Sequence, residues 1–197
     1  MSPTIYYIRH GQTEWNAGRR LQGQRDIPLN DAGRAEARRS GEILGALLAR
    51  DGRAPHDLDY VSSPLVRASG TMEAVRVALG LAPAGYRVEP LLKEMSFGRW
   101  EGLAAAEIQA TDAALLATRE QDKWRFTPPG GENYEQVMAR VAAWHGGVTR
   151  DTVVTAHGET GRVLLVHLGL AEPDAVFRKI EHGVVYVLAD GRIERFA

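Results

Sequence analysis

Short apolar runs rich in β-branched and aromatic residues alternate along this chain with segments of helical periodicity, and that alternation leaves few folds open. TIYYI at 4–8, LDYVSS at 58–63, YRVEP at 86–90 and DTVVTA at 151–156 have the length and content of strands, the first suited to burial on both faces. Between them, Asn30 or Asp31 can cap a helix carrying Ala37, Leu44, Leu47 and Leu48 on one face. Ser63 and Pro64 stand as N-cap and first-turn proline of a second helix reaching Gly80. Helical signals return in AAAEIQ, and again where Tyr134, Val137, Met138 and Val141 recur at i, i+3, i+4 and i+7. GRVLLVHLGL is apolar on most sides, and VVYVLAD before Gly191 predicts a closing hairpin. The expected fold is α/β: a three-layer sandwich whose mostly parallel central sheet is flanked by helices on both faces. Ligands in such sheets bind beyond the carboxyl ends of the strands.

Composition narrows the chemistry. The 197 residues suffice for one domain with a full core, and there is no repeat or linker. Twenty-four basic and 25 acidic residues leave a net charge of −1, so no global field favours nucleic acid or an anionic membrane, and any anion site must be built locally. Without cysteine there is no disulfide framework, thiolate metal site or cysteine nucleophile. The N-terminal stretch lacks a basic segment and a long apolar run, and nothing later reaches transmembrane length, so a cytoplasmic location is expected.

Four of the six histidines, His10, His145, His157 and His182, precede glycine, so the dipeptide carries no signal by itself. Context separates them. His10 follows TIYYIR and His157 follows DTVVTA, each just past a strand's carboxyl end, with Gly11 and Gly158 letting backbone approach a ligand. His145 ends a helical pattern and His182 precedes a strand, where His-Gly marks a helix terminus or a turn. His56, His145, His167 and His182 are therefore expected to be hydrogen-bonded structural residues. No His-x-x-x-His or comparable cluster accompanies His10 or His157, so no metal site is expected.

Arg9 offers the planar fork of donors that matches phosphate oxygens, and lowers the pKa of its neighbour His10, favouring a neutral, nucleophilic imidazole. Arg67, behind Pro64, falls near a helix N-terminus, which itself favours anions. Glu94 and Glu101 follow the third strand. Glu94 is nearer the strand end and is the candidate proton donor; Glu101 is left to hold the loop.

RHGQTEWN, LQGQRDIPLN, SSPLVRASGT, EMSFGRWEG and AHG, in that order from residue 5 to about 158, resemble the histidine phosphatase superfamily of phosphoglycerate mutase-like proteins. That resemblance implies that His10 is the phosphorylated nucleophile and Glu94 the general acid and base. It implies that Arg9, Arg67 and His157 clamp the phosphoryl oxygens, and that Asn16, Gln22 and Gly23 line the phosphate pocket. Two positions depart from the usual pattern, Gly70 inside the helix after Arg67 and Ala156 where threonine is common, and neither removes a catalytic group.

The resulting expectation is a metal-independent phosphomonoesterase that needs no cofactor and acts on a small phosphorylated metabolite through phosphohistidine at His10. Residues 103–133 are expected to cap the substrate within a single domain over 1–197. A cofactor-dependent phosphoglycerate mutase is the alternative, but mutase relatives bring adjacent arginines in a longer segment, whereas here only Arg119, Lys123 and Arg125 are scattered through it. Trp124 and Phe126 can wall the leaving group, although core packing is the expected role of at least one. A non-catalytic phospho-ligand-binding module would need neither His10 nor Glu94. An Asp-x-Asp phosphatase is disfavoured because Asp57 and Asp59 precede their strand, and serine-hydrolase and P-loop motifs are absent. A homodimer is possible; neither nucleic acid nor membrane is an expected partner.

Overall fold

The computed structural model describes residues 2–173 and 180–197. Its strands are β1 (Ile5–Arg9), β2 (Asp59–Ser62), β3 (Arg87–Val88), β4 (Thr152–Ala156), β5 (Val185–Ala189) and β6 (Arg192–Phe196). Its α-helices are α1 (Glu14–Ala17), α2 (Asp31–Arg50), α3 (Val66–Ala78), α4 (Ala105–Gln121), α5 (Tyr134–His145) and α6 (Gly158–His167). Among the described residues the sheet order is β3-β2-β4-β1-β5-β6. β3, β2, β4 and β1 run parallel, while β5 and β6 are antiparallel additions that form the expected closing hairpin.

The side-chain alternation of a strand explains the two layers of helices. On β1, Ile5 and Tyr7 enter one core with Val154, Tyr134, Val137, Val141, Val163 and Leu164, which belong to β4, α5 and α6. Tyr6 and Ile8 enter the other, with Leu44, Leu47 and Leu48 of α2 and Met72 and Val75 of α3. A strand buried on both faces has to be largely apolar, as β1 is up to Arg9, and the two threonines of β4 satisfy their hydroxyls by donating to Arg150 O and Ser62 Oγ. Asn30 caps α2 through its side chain, accepting the Gly33 N–H at 2.9 Å.

Three local features depart from the sequence expectations. α3 starts at Val66, two residues past the expected proline, and receives no cap from its own chain neighbours. Asp26 supplies it instead, its Oδ1 accepting the Val66 N–H at 2.6 Å, while the Ser63 hydroxyl faces Leu65 N–H and His157. β3 is reduced to two residues, because Pro90, which has no N–H, opens a 3₁₀ turn directly after Glu89. α4 is broken at Asp112, whose carboxylate accepts from Arg99 and from Trp100 Nε1.

The loop after β1 lies against the first turn of α2 so closely that a Cβ on Gly33 would stand 2.0 Å from Gln12 O, and one on Gly11 2.1 Å from Gly33 O. Gly11 is thus required by packing, and its N–H is already donated to Thr71 Oγ1 at 3.1 Å. Gly70 is different, since an added Cβ would meet only Leu29 Cδ1 at 3.6 Å, an ordinary contact within a regular helix. Gly33→Ala is accordingly expected to destabilise the protein by about 1–3 kcal/mol through forced backbone displacement. Gly70→Ala should stabilise it by about 0.4–1 kcal/mol. Thermal and urea unfolding of the two variants measure both signs.

Candidate active site

β1 and β4 are adjacent and parallel, with Arg9 opposite Ala156, so the next residue of each chain segment leaves the sheet at the same edge. Those residues are His10 and His157, whose ring centroids lie 5.2 Å apart. Arg67, from the first turn of α3, places Nε 3.3 Å from His10 Nε2. Its other nitrogens donate to the carbonyls of Gly23 and Arg25, each at 2.7 Å, which fixes the plane of the guanidinium. Arg9 donates from Nη1 to Ile180 O at 2.7 Å. Glu94, two residues past the turn that follows β3, reaches the N-terminus of α6, immediately after His157.

His10 Nδ1 lies 2.7 Å from Gly11 O. A carbonyl can only accept, so Nδ1 carries the proton and Nε2 presents its lone pair beside Arg67. Burial, with the charges of Arg67 and Arg9 added, holds the imidazole well below its ordinary pKa, so the ring is neutral at pH 7. The same causes, burial first and Arg67 next, depress His157. Its Nε2 pairs with Ser63 Oγ at 2.7 Å and its Nδ1 has no partner among the described residues. Arg9 Nε and Gln22 Oε1 are likewise buried without a partner among the described residues, so three site residues keep polar atoms available for a polar ligand. Arg67, lowered by burial to about 10, remains a cation.

Burial raises Glu94, and the neighbouring Glu159 adds to the effect; Arg67 and Arg9 pull the other way and lose. A buried carboxyl that tends to hold its proton, a neutral imidazole and two arginines are the parts needed for acid-assisted attack on an anion.

The remaining expected residues serve the site in different ways. Asn16 uses its side-chain oxygen to accept from Thr13 N–H and hydroxyl, completing the cap of α1. Gly23 adopts φ +52°, and a Cβ there would collide with the Glu101 carboxylate. Gly158 faces the Arg9 guanidinium, with Cζ 3.5 Å from where a Cβ would stand. Glu101 holds the loop, accepting from the N–H groups of Gln24 and Phe97 and from Ser96 Oγ. Trp124 stacks on Tyr134 and Phe126 on Trp100, so both pack against the core.

Sequence reasoning gave no role to several residues that touch this constellation. His182 is hydrogen-bonded at a turn, as expected, yet its Nδ1 is 2.6 Å from His10 O and its ring centroid 5.5 Å from that of His10. Because β5 runs antiparallel to β1, the start of β5 falls at the edge where β1 ends. Tyr7 Oη donates to His157 O at 2.6 Å and accepts its N–H at 3.1 Å. Arg140 donates to the carbonyls of Leu91, Lys93 and Glu94. Among the described residues no group of three or more metal-ligating side chains converges, and no helix is long and apolar enough to cross a membrane.

Since His10 and His157 are held neutral when folded but titrate near 6.5 when unfolded, the unfolded chain binds more protons below that pH. Their contribution is fully present above about pH 6.5 and is lost as pH falls toward their folded pKa values. The unfolding temperature should therefore drop on acidification below about pH 6.5, with both rings giving neutral-imidazole ¹⁵N shifts at about pH 6 in the folded protein. A charged His10 ring at that pH would contradict this protonation state.

Comparison with known proteins identifies the family. A family model described as the histidine phosphatase superfamily (branch 1) matches residues 5–189. Glucosyl-3-phosphoglycerate phosphatase of Mycobacterium tuberculosis is 39% identical over 168 residues, 78% of this chain and 70% of that protein. A 2,3-bisphosphoglycerate-dependent phosphoglycerate mutase of Azorhizobium caulinodans is 32% identical over 186 residues, 91% of this chain and 87% of that protein. Among solved structures, TTHB049 from Thermus thermophilus superposes with a TM-score of 0.74 at 29% identity, covering 98% of this chain and 99% of that one.

Proposed function

The chain belongs to the histidine phosphatase superfamily, branch 1, and we propose that it is a metal-independent phosphomonoesterase in which His10 takes the phosphoryl group and Glu94 handles the proton. The observation that carries this reading is the tautomer of His10, a buried neutral ring with Nδ1–H on Gly11 O and its Nε2 lone pair turned to Arg67, whose Nε donates to it at 3.3 Å until phosphorus takes that place. A residue that only gripped an anion would serve better as a cation.

In the first half-reaction Nε2 attacks phosphorus, the P–N bond forms and the ester P–O bond breaks. Glu94 gives its proton to the departing alkoxide, which leaves as the alcohol. Arg9, Arg67 and the His157 ring hold the three peripheral oxygens, where charge gathers during transfer. With Ser63 donating its hydroxyl hydrogen to His157 Nε2, His157 Nδ1 carries a proton to donate to one of those oxygens. In the second half-reaction water attacks phosphorus as the P–N bond breaks, and the Glu94 carboxylate takes the water's proton. Inorganic phosphate and neutral His10 are regenerated.

The phosphatase named among the relatives supports a small phosphorylated metabolite as substrate. The mutase relative keeps phosphoglycerate mutase as the second reading. The cations of the 103–133 segment argue against it, because Arg119 and Lys123 pair with Glu120, and Arg125 with Asp122 and Glu135. We assign that segment as the cap over the leaving group within one domain, and Gly11, Asn16, Gln22, Gly23 and Gly158 as the lining of the phosphate pocket. A cytoplasmic location belongs to the same proposal.

Hydrolysis of p-nitrophenyl phosphate in excess EDTA tests this function. Wild type should turn over, His10→Ala should lose at least ~10³-fold in kcat/KM, and vanadate should inhibit competitively. Activity that EDTA abolishes, or that survives in His10→Ala, would overturn the mechanism. Turnover confined to phosphoglycerate interconversion would favour the mutase.

A further inference from the structure

The environment of the Glu94 carboxyl presents a problem for a group that must begin the reaction protonated. Its Oε1 accepts from Met95 N–H at 3.0 Å, Thr160 N–H at 3.2 Å and Thr160 Oγ1 at 3.3 Å. Its Oε2 accepts from Glu159 N–H at 3.3 Å. Two of these donors are the first-turn amides of α6, whose N-terminus stabilises negative charge. Arg9 on β1 and Arg67 on α3 face it as cations, and Arg140 on α5 donates to its main-chain carbonyl at 3.1 Å. Lys93, its neighbour in the chain, has its carbonyl held by Thr160 and Arg140, and Tyr7 on β1 is buried beside Glu94. Glu132 is engaged by Arg140. Every hydrogen bond and cation in this shell favours the carboxylate over the acid.

We propose that Glu159 is the positioning residue that keeps Glu94 in its proton-bearing form for the first phosphoryl transfer, by fixing a negative charge against it. This inference rests on the phosphatase reading above. The geometry provides for it at both ends. Glu159 follows Gly158 at the start of α6, and its own amide donates to Glu94 Oε2 at 3.3 Å, so the backbone holds the two residues side by side. Its side chain is fastened from two other directions: Arg162 Nη1 lies 2.6 Å from each of its oxygens, and Tyr134 Oη from α5 donates to Oε2 at 2.5 Å. A guanidinium and a phenol hydroxyl are natural partners of a carboxylate. The direction of the Glu94 shift, upward with Glu159 the largest cause after burial, agrees.

The sign of the effect follows. Glu159→Gln preserves the amide cap on Glu94 while removing the negative charge and ending the ion pair with Arg162, both of which favour the Glu94 carboxylate, so Glu94 should release its proton at lower pH. For an ester whose alcohol needs that proton, such as glycerol phosphate, the alkaline limb of kcat/KM reports the first transfer and should move to lower pH by about one unit. The limb for p-nitrophenyl phosphate, whose leaving group departs unprotonated, should move much less. Glu159→Asp should restore part of the difference. A merely structural role would lower both esters at all pH values without moving either limb.

The protonated-carboxyl infrared band that Glu94→Gln removes should titrate at lower pH in Glu159→Gln than in wild type. That measurement needs no turnover, so it separates failure of this inference from failure of the phosphatase reading, which would appear as a wild type that cleaves neither ester. Superimposed limbs for glycerol phosphate, or an infrared titration unchanged by Glu159→Gln, would overturn the proposal.

Discussion

The parallel pairing of β1 with β4 is the interaction on which the rest depends. Its register carries Arg9 level with Ala156, and this alone brings two histidines 147 residues apart in sequence to one place. Parallel strands need helical crossovers, and the crossovers cover both faces, so the strands must be apolar on both. The chain therefore has to become polar abruptly where the strands end. At that edge the backbone leaves the ladder and its side chains can face a ligand, which is why IYYI is followed so directly by Arg-His-Gly and VVTA by His-Gly.

Burial then sets the protonation states. Removing water disfavours whichever form is charged, and for an imidazole and a carboxyl this acts in opposite directions. His10 is held neutral and thus nucleophilic, while Glu94 is pushed toward its acid form. The arginines help the first effect and oppose the second. One low-dielectric site thus pushes a base away from its proton and an acid toward one, and for Glu94 the push works against the arginines and the amides that face it.

Much of this was legible in the sequence. The side-chain cap of Asn30, the core face of α2, the i, i+3, i+4, i+7 stripe of α5 and the loop-holding part of Glu101 all follow from local rules and hold in the structure. The failures share one physical form. The cap of α3 comes from Asp26, forty residues upstream of the amide it serves, and Ser63 is drawn instead toward His157, 94 residues downstream. His182 arrives beside His10 because β5 runs antiparallel, a strand direction that no local pattern encodes. The close approach of Gly11 to Gly33 in the first turn of α2 is likewise a contact that no local pattern encodes.

The amino-acid sequence by itself determined the order of strands and helices, the edge of the sheet at which His10 and His157 gather, and the identity of the candidate reactive groups. Hydrophobic periodicity and residue chemistry are properties of short segments, so they can be read without coordinates. Only the tertiary structure decided the tautomer of His10, the upward direction in which burial moves Glu94, and the presence of Glu159, Tyr134 and Arg162 behind it. Those are consequences of distance and of excluded water, and both quantities exist only once segments remote in the chain have packed together.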